Sequence, residues 1–279
     1  IDLMKNFWQK LKKPIFVIAP MANVTDVAFR SMFAKYGKPD VMWTEFVSAD
    51  GLCSPGRKVL LKDLEFSDNE RPIVAQLFTG HPDKMLEAAQ LVEKLGFDGL
   101  DINMGCPDRA VEKQGSGAAH IKDMENAKRV IEAAREGAPN IPISVKTRIG
   151  YNKVEINTWI AFLLEQKLPA LTVHLRTRKE MSDVPAHWEL MKSIVELRDR
   201  ISPETLIIGN GDVYSIEEGN KRISDSGCDG VMVGRGIFGN PWFFSGKVLS
   251  DISPKERLTV MLEHAKAFDT LQKKNKNFA

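Results

Sequence analysis

The sequence has few cysteines and no long apolar run. Its three cysteines, Cys53, Cys106 and Cys228, lie far apart in the 279 residues and form no Cys-x-x-Cys pair. That spacing argues against a disulfide framework and against a structural zinc site, so no metal is expected, and it favours a reducing cytoplasm. No apolar run reaches the roughly 18–20 residues that cross a bilayer, and residues 1–14 lack the apolar centre of a signal peptide. No contact with a membrane is therefore expected.

The chain also lacks a strong charge of either sign, because its net charge is +2. The composition therefore predicts no general attraction to nucleic acid, and an RNA partner would have to meet a local basic patch. No obligate protein partner is evident, and a monomer is expected. The length suits one large domain or two ordinary ones.

What the sequence does contain is a regular alternation of two patterns. Eight short apolar runs, often β-branched, have the length of buried strands rather than of helices: 15–21, 40–46, 72–78, 99–105, 142–148, 170–176, 205–211 and 230–236. Amphipathic patterns typical of helices lie between most of them, at 83–95, 125–136, 155–166, 188–200 and 216–226. Strands that alternate with helices imply right-handed βαβ units and a parallel sheet. Eight such strands predict an α/β fold of the (β/α)8 TIM barrel type rather than a doubly wound sheet.

Helix ends and the domain division can be predicted from single residues. A glycine sits just past three of the helical patterns, where a left-handed cap is expected: Gly96, Gly137 and Gly227. Ser253 and Pro254 have the character of the N-cap and the first residue of a last, long helix. We therefore expect residues 1–250 to form the barrel. Residues 251–279 are expected to be the first helix of a C-terminal helical domain that this chain does not complete.

Polar side chains collect at the C-terminal ends of the predicted strands. They are Asn23, Gln76, Asn103, Cys106, Lys146, Arg148, His174, Arg176, Asn210 and Asp212. Parallel strands place these ends on one rim of a barrel, which is where the active sites of TIM barrels lie. Each residue alone has an ordinary structural explanation, such as a solvated lysine or a hydrogen-bonded histidine. Their joint occurrence on one rim favours an active site.

Two glycine-rich turns follow the last two predicted strands, "GNGDVYS" from Gly209 and "GRGIFGNPW" from Gly234. Small residues and free backbone N–H groups in such turns hold a phosphate in many TIM barrels, and Arg235 offers a further charged contact. Lys146 and His174 would then reach towards whatever the phosphate anchors. A cationic Lys146 suits the stabilisation of a reduced flavin, and a Schiff base is its competing role.

The segment "NMGCPDRAVEKQGSGAA" places Cys106 directly after the fourth predicted strand. The polar loop 107–117 that follows is long enough to act as a lid. A thiol with an ordinary pKa of about 8.5 is protonated at neutral pH, so it can donate a proton rather than act as a nucleophile. Cys106 is thus the candidate reagent. Cys228 precedes a strand and is interpreted as structural, and nothing near Cys53 suggests activation.

Several segments together resemble the flavin-dependent tRNA-dihydrouridine synthases, from about residue 15 to 269. "APMANVTDVAFR" is similar to the opening motif of that family and "NMGCP" to its catalytic segment. "VKTRIG" and "VHLRTR" resemble its motifs on the fifth and sixth strands. "GNGD" and "GVMVGRGIFGNPW" resemble its flavin-phosphate motifs.

The resemblance implies an enzyme that reduces the C5–C6 bond of a uridine in tRNA to 5,6-dihydrouridine. NADPH would reduce a tightly bound FMN, hydride would pass from flavin N5 to C6 of the uracil, and Cys106 would give a proton to C5. The residues that would hold the FMN are Pro20, Met21, Ala22, Gln76, Lys146, His174, Asn210, Gly211, Asp212, Gly234 and Arg235.

The resemblance further implies that Asn103 and Arg148 hold and orient the uracil. Arg148, Arg176 and Arg178 are expected to meet RNA phosphates, although "RTRKE" at 176–180 equally fits a solvated charged loop.

Three alternatives remain at this point. A dihydroorotate-type dehydrogenase is another FMN barrel that uses a pyrimidine, a cysteine and a lysine. A barrel that binds RNA without catalysis comes from another class. A Schiff-base aldolase would act through Lys146.

Overall fold

Eight parallel strands form a closed barrel in the structure, a computed structural model that describes residues 6–276. The strands are β1 (Ile15–Ile18), β2 (Met42–Ser48), β3 (Ile73–Phe78), β4 (Gly99–Met104), β5 (Ile143–Arg148), β6 (Ala170–His174), β7 (Leu206–Asn210) and β8 (Gly230–Val233). Their order in the sheet is β1-β8-β7-β6-β5-β4-β3-β2, and a parallel bridge between Val17 and Val41 joins the two ends. The predicted (β/α)8 TIM barrel is confirmed.

Side chains along each strand point alternately into the barrel and towards the helices outside it. The lower barrel cluster consists of apolar side chains that point inward: Trp8, Ile15, Val17, Ala19, Val41, Trp43, Val74, Ala170, Ile208 and Met232. The residues between them in sequence, such as Phe16 and Ile207, belong to the larger core against the helices. Because side chains of a strand alternate with period two, the inward set continues into the polar residues at the C-terminal ends. Gln76, Asn103 and Lys146 therefore share the barrel interior.

Helices cover the outside of the barrel. They are α1 (Val27–Tyr36), α2 (Ala49–Leu52), α3 (Arg57–Leu60), α4 (Pro82–Lys94), α5 (Arg109–Glu112), α6 (Met124–Gly137), α7 (Ala161–Glu165), α8 (Met191–Ile201), α9 (Ile216–Ser226) and α10 (Pro254–Lys276). The five predicted amphipathic helices correspond to α4, α6, α7, α8 and α9. The predicted helix 155–166 begins with a π-helical turn, and the predicted helix 188–200 begins with a 3-10 turn. The sequence patterns did not identify α1, which Asp26 caps through a hydrogen bond to the N–H of Phe29.

Two of the three predicted glycine caps are confirmed. Gly96 and Gly227 have φ angles of 82° and 76°. The prediction for Gly137 was wrong, because this residue is the last helical residue of α6. A Cβ atom there would overlap the carbonyl oxygen of Leu86 and would lie 2.9 Å from the Cβ of Ala89. Gly137 is therefore needed for the close packing of α6 on α4.

The last helix, α10, packs against α1 at the edge of the barrel. Ser253 caps it as predicted, since its hydroxyl accepts a hydrogen bond from the N–H of Glu256 at 3.2 Å. The Glu263 carboxylate accepts hydrogen bonds from Lys35 and from the Tyr36 hydroxyl of α1. Although α10 has 23 residues, no helix in the described part of the chain is apolar enough over a sufficient length to cross a membrane.

A buried ion pair ties α1 to the segment before β3. The side chains of Arg30 and Glu70 are both fully buried, and Nε of Arg30 donates to Oε2 of Glu70 at 2.5 Å. The other guanidinium nitrogens donate to the carbonyls of Thr25 and Glu65, each at 2.6 Å. This network holds α1 against the segment between β2 and β3.

Candidate active site

A polar cavity of about 210 Å³ opens at the C-terminal rim of the barrel. Its lining comprises Ala19, Pro20, Met21, Lys146, His174, Arg176, Ser182, Asn210, Gly211, Asp212, Val213, Tyr214, Met232, Gly234, Arg235 and Gly236. These residues come from β1, β5, β6, β7 and β8 and from the loops that follow them. The rim position predicted from the strand ends therefore corresponds to a real concavity in the molecule.

Lys146 of β5 supplies a cation to this cavity. Within residues 6–276 its ammonium group makes no hydrogen bond or ion pair, and its side chain lines the cavity. Burial and the neighbouring charge of Arg148 lower the pKa of Lys146 from 10.5 to about 8, although Asp101 opposes the shift. The ammonium is therefore mostly charged at neutral pH and available to an anionic or carbonyl-bearing ligand.

His174 at the end of β6 is neutral in this cavity. Burial, followed by the charges of Arg148, Lys146 and Arg176, holds the pKa of His174 well below its usual 6.5. Nη1 of Arg176 lies 3.1 Å from Nε2 of His174, and a guanidinium can only donate. Nε2 of His174 is therefore the acceptor, and the neutral ring carries its hydrogen on Nδ1.

Asp212 organises the arginines on the far side of the cavity. Its Oδ2 accepts from Nη2 of Arg176 at 2.5 Å and from the N–H of Ala186 at 2.8 Å. Its Oδ1 accepts from Nη2 of Arg235 at 3.1 Å. Burial alone would raise the pKa of Asp212, but the hydrogen bonds from Arg176 and Ala186 and the charges of the two arginines lower it below its usual value. Asp212 thus fixes Arg235, whose side chain remains 53% exposed, beside the two glycine-rich turns.

The glycine-rich turns offer backbone donors. Arg235 and Gly236 begin the short 3-10 helix Arg235–Ile237, and their N–H groups have no acceptor in the part of the chain that the structure describes. Gly211 has a φ angle of 123°, which side chains of L-residues rarely adopt, and its carbonyl accepts a hydrogen bond from Nε1 of Trp188 at 2.7 Å. The turns therefore combine free N–H groups with small residues, as a phosphate site requires.

Cys106 lies half-buried after β4, beneath the loop that was predicted as a lid. Its carbonyl accepts a hydrogen bond from the N–H of Ala118 at 2.9 Å, so the loop folds back onto it. Burial raises the pKa of the Cys106 thiol, whereas the charges of Arg148 and Lys146 act in the opposite direction. The thiol is therefore protonated at neutral pH, as a proton donor must be.

A chain of hydrogen bonds connects Gln76 to Cys106. Nδ2 of Asn103 donates to Oε1 of Gln76 at 3.1 Å. Oδ1 of Asn103 accepts from the N–H of Gly105 at 3.1 Å and from the N–H of Cys106 at 2.9 Å. Asn103 therefore fixes the turn that presents the thiol.

Two arginines hold the loops around the thiol. Nε of Arg148 donates to the Gly105 carbonyl at 2.8 Å, and its Nη1 donates to the carbonyls of Thr177 and Met181 at 3.0 and 2.8 Å. Arg178 pairs with Glu112 of α5, with Nε 2.8 Å from Oε2. The loop after β4 is thus tied to the loop after β6 by side chains from both.

The comparisons with known proteins decide the family. Residues 17–278 match the family described as dihydrouridine synthase (Dus). The chain belongs to the dihydrouridine synthase family. Of its relatives, the "Probable tRNA-dihydrouridine synthase" of Staphylococcus aureus (strain COL) is 41% identical over 273 residues, which are 97% of this chain and 82% of the relative. The "Probable tRNA-dihydrouridine synthase 2" of Bacillus subtilis (strain 168) is 42% identical over 273 residues, with 97% and 83% covered.

Solved structures share the barrel fold of this chain. Histamine dehydrogenase from Rhizobium sp. 4-9 superposes with a TM-score of 0.58 over 82% of this chain and 44% of the other, at 14% identity. A mutant of morphinone reductase, solved in complex with tetrahydroNAD, gives a TM-score of 0.56 over 82% and 85%, at 12% identity. At these identities the likeness concerns the fold.

The predicted site residues fall into two groups in the structure. The cavity brings together Pro20, Met21, Lys146, His174, Arg176, Asn210, Gly211, Asp212, Gly234 and Arg235. The residues Ala22, Gln76, Asn103, Cys106, Arg148 and Arg178 do not line it. Gln76, Asn103 and Cys106 form the hydrogen-bonded chain beside it. The contact of the three arginines with RNA stays a prediction, and the burial of Arg148 and Arg176 favours loop positioning.

Some residues of the site were not predicted from the sequence. Ser182 lines the cavity from a loop that carries no motif, whereas Tyr214 lies inside the quoted "GNGDVYS" turn. Gly236 lies inside the quoted "GRGIFGNPW" turn, which was the signal that identified its neighbours. Asp101, two residues before Asn103, is fully buried inside the barrel. Within residues 6–276 no group of three or more His, Cys, Asp or Glu residues is placed to hold a metal ion.

Proposed function

We propose that this chain reduces the C5–C6 bond of a uridine in tRNA to 5,6-dihydrouridine, with FMN as bound cofactor and NADPH as reductant. The observation that supports it best is Cys106, a half-buried thiol whose pKa is raised, held beside the cationic Lys146 at the barrel rim. Membership of the dihydrouridine synthase family and the names of the relatives point to the same substrate.

The donors of the cavity fit a flavin mononucleotide. The unpaired N–H groups of Arg235 and Gly236 and the exposed guanidinium of Arg235 suit its phosphate. The Lys146 ammonium and the Nδ1–H of His174 suit the carbonyl and nitrogen acceptors of a flat ring. Pro20, Met21 and Asn210 complete the lining.

The residues of the chain divide the chemistry between them. A flavin held by the residues of the cavity would supply the hydride for C6 of the uracil. Cys106 donates its proton to C5, so that two hydrogen atoms are added across one double bond. Asn103 and the carbonyl-bound Arg148 hold the segment that carries Cys106, and Lys146 keeps a positive charge beside the ring carbonyls. The target nucleotide has to leave its stack in the RNA to reach the rim.

A dihydroorotate-type dehydrogenase is the second candidate, because it also combines a pyrimidine, a cysteine and a lysine in a flavin barrel. That reaction runs in the oxidative direction and needs its cysteine to take a proton. The raised pKa of Cys106 favours an acid and not a base.

We propose cytoplasmic location and monomeric action, which the three unpaired cysteines and the tRNA substrate support. We also propose that residues 1–250 form the catalytic barrel and that residues 251–279 begin a helical unit that helps to bind tRNA. Supporting this division, α10 lies outside the barrel and keeps Leu258, Met261 and Leu262 exposed.

The function is tested by incubating the purified protein with unmodified tRNA and NADPH, followed by mass spectrometry of the nucleosides. Dihydrouridine is expected from the parent protein. The Cys106→Ala variant should lose about 100-fold or more of the rate, because general acid catalysis contributes on that order. Cys53→Ala is the matched control and should keep the parent rate. Full flavin occupancy without dihydrouridine would contradict the function, and an undiminished Cys106→Ala rate would contradict the role of the thiol.

A further inference from the structure

A buried carboxylate lies inside the barrel without a part in the proposed chemistry. Asp101 of β4 is fully buried. Its Oδ1 accepts a hydrogen bond from the Ser144 hydroxyl at 2.6 Å, and its Oδ2 accepts one from Nε2 of Gln76 at 2.6 Å. Burial raises the pKa of Asp101 to about 6, against the opposing effect of these hydrogen bonds and of Lys146. A buried carboxylate is costly unless it is hydrogen-bonded, and both oxygens of Asp101 accept hydrogen bonds.

The hydrogen-bond chain from Asp101 has a fixed direction. An ionised carboxylate can only accept, so Gln76 has to present its Nε2 to Asp101 and its Oε1 to Asn103. Asn103 then presents Nδ2 to Gln76 and Oδ1 to the backbone. At the other end, the N–H group of Cys106 can only donate. An acceptor at one end and a donor at the other therefore determine the orientation of both amides between them.

We propose that Asp101 is a positioning residue, which acts through Gln76 and Asn103 to hold the turn that carries Cys106. This inference rests on the proposed function, in which Cys106 gives the proton. The property that matters is the acceptor atom that Asp101 offers to Gln76. Without it, the amide of Gln76 would be buried with an unpaired N–H group and would turn towards another partner.

The same chain determines what the site offers to a ligand. Both lone-pair directions of the Asn103 Oδ1 are taken by the N–H groups of Gly105 and Cys106. Asn103, which is 7% exposed, can therefore meet a ligand only with its remaining N–H. The ligand atom opposite must be an acceptor such as a pyrimidine carbonyl. If the ligand carried an exocyclic amino group at that place, its N–H would face the N–H of Asn103. Two donors cannot form a hydrogen bond, so the site would bind such a ligand much more weakly.

Three variants separate the acceptor from the charge of Asp101. Asp101→Leu keeps the branched shape of the side chain, at a larger volume, and removes the acceptor. Asp101→Asn removes the charge and keeps an acceptor oxygen for Gln76. Ser144→Ala is the matched control, because it removes the other hydrogen bond to the same carboxylate and leaves the Gln76 side intact.

Two readouts are measured on the flavin-loaded protein. One is kcat and KM for unmodified tRNA. The other is the rate of alkylation of Cys106 by iodoacetamide, resolved by peptide mass spectrometry with Cys53 as internal reference. We expect Asp101→Leu to lower kcat by about 10–100-fold, since a misplaced reacting group has costs of that order, and to leave KM for tRNA unchanged. Cys106 alkylation should become several-fold faster, whereas Asp101→Asn and Ser144→Ala should stay near the parent in both readouts.

Two results would contradict the role of Asp101. Parent-like kcat and alkylation in Asp101→Leu would overturn the inference. An Asp101→Asn variant that loses about 10-fold or more in kcat would also overturn it, because the charge and not the acceptor would then matter; this arm stands even where Asp101→Leu does not fold. If the parent protein makes no dihydrouridine, the proposed function fails, while the alkylation rates still test the link between Asp101 and Cys106.

Discussion

Lys146 shows how a single side chain acquires its properties from its place on the rim. It sits on the inward face of β5, one strand away from Asn103, with which it is in register. Burial and the charge of Arg148 lower the pKa of Lys146 to about 8. Its charge is therefore fully present only below that pH, and it is lost as the pH rises through 8.

The binding of FMN to the cofactor-free protein should consequently depend on pH. We expect the affinity to fall between about pH 7 and pH 9 with a midpoint near 8, because the positive charge that Lys146 presents to the cavity is lost. Lys146→Met should weaken binding at neutral pH by about 10–100-fold, the usual worth of a hydrogen bond from a charged group, and should abolish the change with pH. Titration of flavin fluorescence measures both effects. A Lys146→Met protein with the same pH dependence as the parent would exclude Lys146 as its source.

At the scale of the element, the contact between α4 and α6 depends on a residue without a side chain. Gly137 ends α6 against the backbone of α4, and the Leu86 carbonyl occupies the position that a methyl group would need. The contact is therefore a backbone-to-backbone approach that no larger residue allows.

Gly137→Ala is expected to lower the free energy of unfolding by about 1–3 kcal/mol, since overpacking forces the two helices apart. Urea denaturation measures the free energy of unfolding of the variant and of the parent protein. The control is Glu136→Ala, an exposed position of the same helix, where the change should stay within about 0.5 kcal/mol. Equal stability of both variants would mean that α4 can shift to accommodate the methyl group at no cost.

At the scale of the whole molecule, the barrel has one weak seam. Within residues 6–276, β1 meets the chain at the start of β2 through one bridge pair, Val17 and Val41, whereas β1 and β8, and β2 and β3, share several pairs. Side chains compensate there. Oδ2 of Asp40 accepts from the N–H of Phe16 at 2.7 Å, and the buried pair of Arg30 and Glu70 joins the segments on both sides.

Arg30→Met should therefore destabilise the entire protein by about 3–5 kcal/mol, because it leaves the Glu70 carboxylate buried without its partner. A solvent-exposed pair provides the comparison: Lys221→Met, which breaks the contact with Asp225, should change stability by less than about 1 kcal/mol. Thermal and urea unfolding measure the change in stability of each variant. A similar small change in the two variants would show that the seam does not depend on Arg30.

The sequence predicts the barrel well because its signals are local. Apolar runs of strand length and the glycine-rich turns can be recognised without knowing any partner, and they placed Lys146 and His174 on one rim. The role of Asp101 was hidden, since its partners Ser144 and Gln76 lie 43 and 25 residues away. Gly137 was misread for the same reason. A glycine at a helix end has the same appearance in sequence whether it caps the helix or touches another one.

The two ends of the barrel interior differ in chemistry: one is an apolar core and the other holds the polar site. The lower barrel cluster fills the N-terminal end with apolar side chains, and the polar residues occupy the C-terminal end of the same strands. Selection can therefore act on the two ends independently. Directed evolution towards another pyrimidine substrate would change residues at the rim, while the stability of the lower half allows such changes. Stabilising substitutions would be placed in the lower half, where they do not alter specificity.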